Sequence, residues 1–77
     1  MTPEIRLLAE QIGSALLAQN WQLATAESCT GGLISAAITE IAGSSAWFDR
    51  GFVTYSNEAK VELLGVSLLT LHAHGAV

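Results

Sequence analysis

The stretch Thr25-Ala26-Glu27-Ser28-Cys29-Thr30-Gly31-Gly32 sets a hydroxyl nucleophile and two glycines where a short strand hands over to a helix. Before it, Trp21-Gln22-Leu23-Ala24-Thr25-Ala26 is short and mostly apolar, and after it Leu33, Ile34, Ala37, Ile38 and Ile41 recur at helical spacing. Strand C-terminal ends in open α/β sheets face the crevice where ligands bind, so Ser28 is better placed for chemistry than most serines. The N–H groups of Thr30, Gly31 and Gly32 open the helix without intrahelical acceptors, which suits them to hold a carbonyl or phosphoryl oxygen. Glycine at 31 and 32 also lets backbone approach a substrate closely. The competing reading of the same spacing is a helix cap supplied by Ser28 or Thr30.

Working outward, the chain follows an α, β, α, β, α order without linker, repeat or low-complexity tract. Thr2 and Pro3 start a first helix with Glu4 in its first turn, an apolar stripe of Ile5, Leu8, Ile12, Ala15 and Leu16, and Asn20 at its end. The first strand covers about 22–26 and the second helix about 29–42, with Gly43 as a left-handed terminator and Gly43-Ser44-Ser45-Ala46 as a loop. Arg50-Gly51-Phe52-Val53-Thr54-Tyr55 reads as a second strand. Asn57 to Leu64 is a third helix, capped by Ser56 or Asn57 and stopped by Gly65, and Ser67 to His74 is a further short helix ended by Gly75. Two strands joined through a helix form a βαβ unit, predicted to be parallel with a right-handed crossover. A parallel sheet needs both faces covered. Residues 1–77 are therefore expected to be the first part of a larger α/β domain, or to be ordered against other chains.

Seventy-seven residues allow one domain at most, and 51% apolar against 13% charged residues is globular and oily for that size. No apolar run reaches membrane-spanning length and the N-terminus lacks a basic-then-apolar signal, so the chain reads as soluble and cytoplasmic. Its single cysteine excludes an internal disulfide, and no Cys/His cluster has metal-ligand spacing. A net charge of −4, with Arg6, Arg50 and Lys60 as the permanent cations, argues against nucleic acid as a partner. Cys29, at a helix N-terminus, is a second candidate nucleophile, though with no histidine near it in the pattern it reads better as a small buried hydrophobe. His72 and His74, two apart on a short helix, point to different faces and make a poor metal pair. Glu27 is open between orienting a neighbour and binding substrate hydroxyls.

Three blocks occur in order: Ala26-Glu27-Ser28-Cys29-Thr30-Gly31-Gly32, Ile41-Ala42-Gly43-Ser44-Ser45-Ala46-Trp47-Phe48, and Arg50-Gly51-Phe52-Val53-Thr54-Tyr55-Ser56-Asn57-Glu58-Ala59-Lys60. Together they resemble the nicotinamide-nucleotide amidohydrolase family, also described as the CinA C-terminal, or competence/damage-inducible, domain. The likeness runs from about residue 3 to the end and covers the N-terminal half of that domain. The family's second half, with further strands, a glycine-rich loop and a substrate-binding arginine, lies outside it, as does the molybdopterin-binding-like domain of longer members.

The resemblance implies a three-layer α/β/α fold with a mainly parallel sheet, a homodimer, and hydrolysis of the nicotinamide mononucleotide carboxamide to nicotinic acid mononucleotide and ammonia. It further implies a mechanism without metal or cofactor, in which Ser28 matches the nucleophile, Lys60 the base, and Tyr55 and Ser45 supporting hydroxyls. The chemistry is coherent, because amide hydrolysis needs an activated nucleophile, a proton shuttle to ammonia and donors for the oxyanion. A helix N-terminus opposes a positive charge by only about 0.3–1 kcal/mol, so desolvation must do most to make Lys60 a base. Phe52, Trp47 or the remainder of the domain are the expected source. Strand-end geometry predicts that Ser28, Tyr55 and Lys60 converge, with Ser28 Oγ within hydrogen-bond reach of one of the other two. The alternative is a non-catalytic half-domain that binds a phosphate-bearing ligand or a partner chain; the 77 residues alone are expected to be inactive.

Overall fold

A computed structural model describes residues 1–77 and gives the predicted element order. Helix α1 spans Pro3–Gln19, with Thr2 Oγ1 accepting from the Ile5 N–H at 3.1 Å and Asn20 closing it in the left-handed region at φ 57°. Strand β1 is Leu23–Glu27, α2 is Leu33–Thr39, a single 3₁₀ turn covers Ser44–Ala46, β2 is Phe48–Val53, α3 is Asn57–Leu64 and α4 is Leu68–His74. Three boundaries differ from the sequence reading for identifiable reasons, and α2 also ends at Thr39 where the reading ran it to about 42. Gly31 and Gly32 take positive φ values of 65° and 106°, so residues 28–32 form a turn and α2 starts at Leu33 instead of near 29. The ladder opens early because the Leu23 N–H donates to Trp47 C=O at 2.7 Å, and β2 closes at Val53, leaving Tyr55 beyond the strand.

The strands pair in parallel, from Leu23 opposite Phe48 to Glu27 opposite Val53, with one irregularity between Leu23 and Ala24. Parallel pairing brings both C-terminal ends to the same end of the sheet. There the Thr54 N–H donates to Glu27 C=O at 2.8 Å, carrying the ladder one residue past β2.

Packing proceeds through missing side chains. A Cβ at Gly13 would lie 2.5 Å from the Trp47 indole, so α1 can seat on that buried ring only with glycine there. A Cβ at Gly51 would fall 2.7 Å from Thr25 Oγ1 and against Ser35 Oγ, two hydroxyls that hydrogen-bond each other at 2.8 Å and join β1 to α2. None of the expected stripe of α1 is buried: Ile5, Leu8, Ile12 and Ala15 are exposed and Leu16 is half-buried, and the helix packs instead through two residues outside the stripe. Ala9 and Gly13 are enclosed, whereas Ile5, Leu8 and Ile12 stay about half exposed and line, with Leu33 and Ile34 of α2, an apolar cleft of about 480 Å³. No helix is long and apolar enough to cross a membrane.

One buried carboxylate fixes the β1–α2 connection. Glu27 is 4% exposed, and its Oε1 accepts from Thr30 Oγ1 and the Ile34 N–H, both at 2.7 Å. Its Oε2 accepts from the Ser35 N–H at 3.0 Å and Ser35 Oγ at 3.1 Å. Ile34 and Ser35 lie in the first turn of α2, whose N-cap Gly32 has no side chain to offer them, so a strand residue caps the helix. Burial pushes this carboxyl up, but the backbone donors at Ile34 and Ser35 and the hydroxyls of Thr30 and Ser35 outweigh it and hold it down, from 4.5 to about 2.

The depressed value sets a pH window. The carboxylate's contribution to stability is fully present above about pH 4.5 and is lost as pH falls toward about 2, so melting temperature should drop through that interval. Thermal melts of the gene product against its Glu27→Gln variant check this; the variant should lack that component of the acid loss and melt lower at neutral pH. Gly51→Ala should destabilise by about 1–3 kcal/mol through overpacking against Thr25 and Ser35, read as a shift of the denaturation midpoint at unchanged slope.

Candidate functional site

Ser28 is the first residue past β1, half-buried at the C-terminal end of the sheet. Neither Ser28 nor Thr30 caps α2 as one sequence reading had it. The Thr30 hydroxyl is spent as a donor to Glu27, and the helix amides at Ile34 and Ser35 are satisfied by the same carboxylate. Ser28 engages the turn only through its backbone, its C=O accepting from the Gly31 N–H at 3.1 Å. Its hydroxyl makes no hydrogen bond within the chain and is free for another role. The expected row of oxyanion donors is shortened accordingly: the Gly31 N–H is occupied, while the N–H groups of Thr30 and Gly32 have no acceptor in the chain.

Lys60 lies one turn into α3, the helix that starts four residues after β2 ends. Ser56 sets that start, its Oγ accepting from the Ala59 N–H at 3.0 Å, and Gly65 ends it at φ 68°. At 2% exposure Lys60 is the largest fully buried side chain, against the ordinary fate of lysine on a surface. Its side chain makes no ion pair, and since no side-chain nitrogen or oxygen is both sealed from solvent and unpartnered, the buried part is the aliphatic stem and the ammonium keeps access to solvent. Tyr55, two residues past β2, follows buried Thr54 and is 76% exposed. Parallel pairing thus brings Ser28 and the Thr54–Tyr55 segment to one end of the sheet, with Lys60 one helical turn further along. The expected direct hydrogen bond from Ser28 Oγ to Lys60 or Tyr55 is not formed; catalytic contacts are often loose in the absence of substrate.

Ser45 is not brought to this end. It sits in the 3₁₀ turn before β2, where Phe48 pairs with Leu23 at the start of both strands. A five-residue strand, about 13 Å long, lies between it and Ser28. Its neighbour Ser44 is buried in that turn. Trp47, one of the expected sources of desolvation for Lys60, packs at the same far end against Gly13 of α1. Cys29 is exposed and not the buried hydrophobe expected of it. His72 and His74 lie on α4, and no group of three or more His, Cys, Asp or Glu side chains is arranged to hold a metal ion.

Glu27 is the residue whose part the sequence left undecided. The available signal was an acidic side chain closing an otherwise apolar strand, three residues before a threonine. Its four acceptor contacts are all taken by this chain, which leaves it orienting its neighbours and not reaching for substrate hydroxyls.

Comparison with known proteins agrees with this architecture. The sequence pattern of the family described as "CinA C-terminal domain" matches residues 5–77. Two curated relatives named "Nicotinamide-nucleotide amidohydrolase PncC" are similar: that of Enterobacter agglomerans is 70% identical over 70 residues, covering 91% of this chain and 43% of the relative. That of Escherichia coli K12 is 61% identical over 74 residues, covering 96% of this chain and 45% of the relative. Among solved structures, the competence/damage inducible protein CihA of Agrobacterium tumefaciens superposes with a TM-score of 0.95 at 53% identity, covering 100% of this chain and 47% of that one. A CinA superfamily protein of Escherichia coli gives 0.91 at 33% identity, covering 100% and 46%. The chain spans about half the length of these relatives. With its βαβ unit and all three sequence blocks inside the matched region, the chain belongs to the CinA C-terminal domain family.

Proposed function

We propose that the protein carrying these residues hydrolyses the carboxamide of nicotinamide mononucleotide, giving nicotinic acid mononucleotide and ammonia, with Ser28 as nucleophile and Lys60 as base. The names of the similar PncC proteins support the reaction class. The observations that support the assignment of residues are an unengaged Ser28 hydroxyl just past β1 and a buried lysine on the helix that follows β2.

In this reading Ser28 Oγ attacks the carboxamide carbon as its proton passes to Lys60. The N–H groups of Thr30 and Gly32 face the negative oxygen, and donors already in place act without reorganisation. The tetrahedral intermediate then expels the amine, which leaves as ammonia with the proton from Lys60. Water, activated by the same lysine, cleaves the acyl ester and restores Ser28. Tyr55, exposed beside the strand end, is available to line the substrate pocket with its ring or its hydroxyl.

Ammonia release from nicotinamide mononucleotide by the full gene product tests this. Ser28→Ala should lower turnover by about 1,000-fold or more, whereas Cys29→Ala should retain most of it. Because Lys60 is buried, Lys60→Met is the less disruptive variant, and its loss should match that of Ser28→Ala. The double variant should be no worse than either single one, since a nucleophile and its base act as a unit. A double variant far slower than both would end the dyad mechanism, and wild-type turnover in Ser28→Ala would end the assignment of the nucleophile.

A further inference from the structure

We infer that Glu27 is a positioning residue for the hydroxyl of Ser28, its carboxylate clamping the turn that carries the nucleophile while its carbonyl ties that turn to the strand end leading to Lys60. The inference rests on the proposed roles of Ser28 and Lys60.

Three attachments converge on this one residue. Through Oε1 it holds Thr30, two residues past Ser28 and within the turn itself. Through both carboxylate oxygens it holds the first turn of α2 at Ile34 and Ser35. Through its backbone C=O it receives the Thr54 N–H at 2.8 Å, with Thr54 Oγ1 at 3.5 Å, from the segment that runs on to Tyr55 and α3. Ser28 is thus flanked on one side by a backbone anchored to β2 and on the other by a threonine anchored to α2. The turn's own means of holding shape are few. One backbone bond, Gly31 N–H to Ser28 C=O, spans it, and two successive glycines with positive φ give it no stiffness of their own.

The clamp also explains why a carboxylate and not an amide stands here. All four partners are donors: two N–H groups and two hydroxyls. A carboxylate presents only acceptors to them, whereas glutamine would turn an NH₂ group toward at least one donor. The same four contacts mean that Glu27 has no acceptor to spare for substrate, so it acts through Ser28 and Thr30.

Reaction geometry is sensitive at this scale, since a nucleophile misplaced by about 1 Å can cost about 100-fold in rate. Glu27→Gln is expected to lower kcat per folded molecule by about 100-fold with KM changed less than about threefold, because the loss falls on the attacking group and not on ground-state binding. The second variant removes a single bond of the clamp. Thr30→Val should lower kcat by about 10-fold, and Thr30→Ser, which keeps the hydroxyl, should restore it.

Ammonia release from nicotinamide mononucleotide supplies kcat and KM for the gene product, and fluorescence of buried Trp47 supplies the folded fraction. If Glu27→Gln does not fold, the Thr30 pair decides. Wild-type kcat per folded molecule in Thr30→Val, or a loss that Thr30→Ser shares, overturns the positioning role, as does a folded Glu27→Gln enzyme with unchanged kcat. Ser28→Ala separates the two levels. If it is inactive while the Glu27 and Thr30 variants keep full kcat, only the positioning role falls; if it retains turnover, the nucleophile assignment falls and the positioning role with it.

Discussion

A buried carboxylate must be satisfied by donors or it costs more than it contributes, and Glu27 meets that constraint with four of them. Where those donors come from determines the local architecture. Two are amides of the first turn of α2, so that helix is pinned to β1 through its N-terminus and not through a residue of its own. One is the Thr30 hydroxyl, which shapes the connection between strand and helix. The last, the Ser35 hydroxyl, also pairs with Thr25, one inward-facing position earlier on β1. Inside a protein such linked hydrogen bonds reinforce one another, and a partly satisfied set would be worse than none.

Parallel pairing adds the second constraint. A hairpin would have put the ends of β1 and β2 at opposite edges of the sheet, whereas the crossover through α2 puts them together. This is how residues 28 and 55, distant in sequence, come to one end, with α3 leading on to Lys60. The same geometry sends the 3₁₀ turn with Ser45, and Trp47 behind it, to the other end.

Much of this was legible in the sequence where the determining chemistry is local. Thr2, Ser56 and Ser67 accept from amides three residues on, and Asn20 and Gly65 adopt the left-handed conformation that ends a helix, as their residue types required. The beginning of α2 was misplaced because its cap comes from β1, at a distance no periodicity records. Gly31 and Gly32 were read as room for a substrate, but they first make a turn. The three sequence blocks and their order carried the family, whereas α/β alternation with parallel pairing was already legible in the helix signals, the apolar spacing and the strand–helix–strand order. Which end of the sheet Ser45 occupies is a property of strand direction, not of residue type. The burial of Lys60 was expected on chemical grounds, but the packing that encloses it is tertiary.

The alternation along β1 has one more consequence. Leu23, Thr25 and Glu27 turn toward the interior while Ala24 and Ala26 face out, so sliding the strand by one residue would exchange the two sets. In an ordinary two-stranded sheet with alanines on one face, such a slip would be cheap. Here it would carry the glutamate into the open, strand two helix amides without acceptors and turn Ser28 inward toward α2. The contact that shapes the turn therefore also serves as a register lock, penalising the nearest misfolded alternative more heavily than the apolar residues of the strand do.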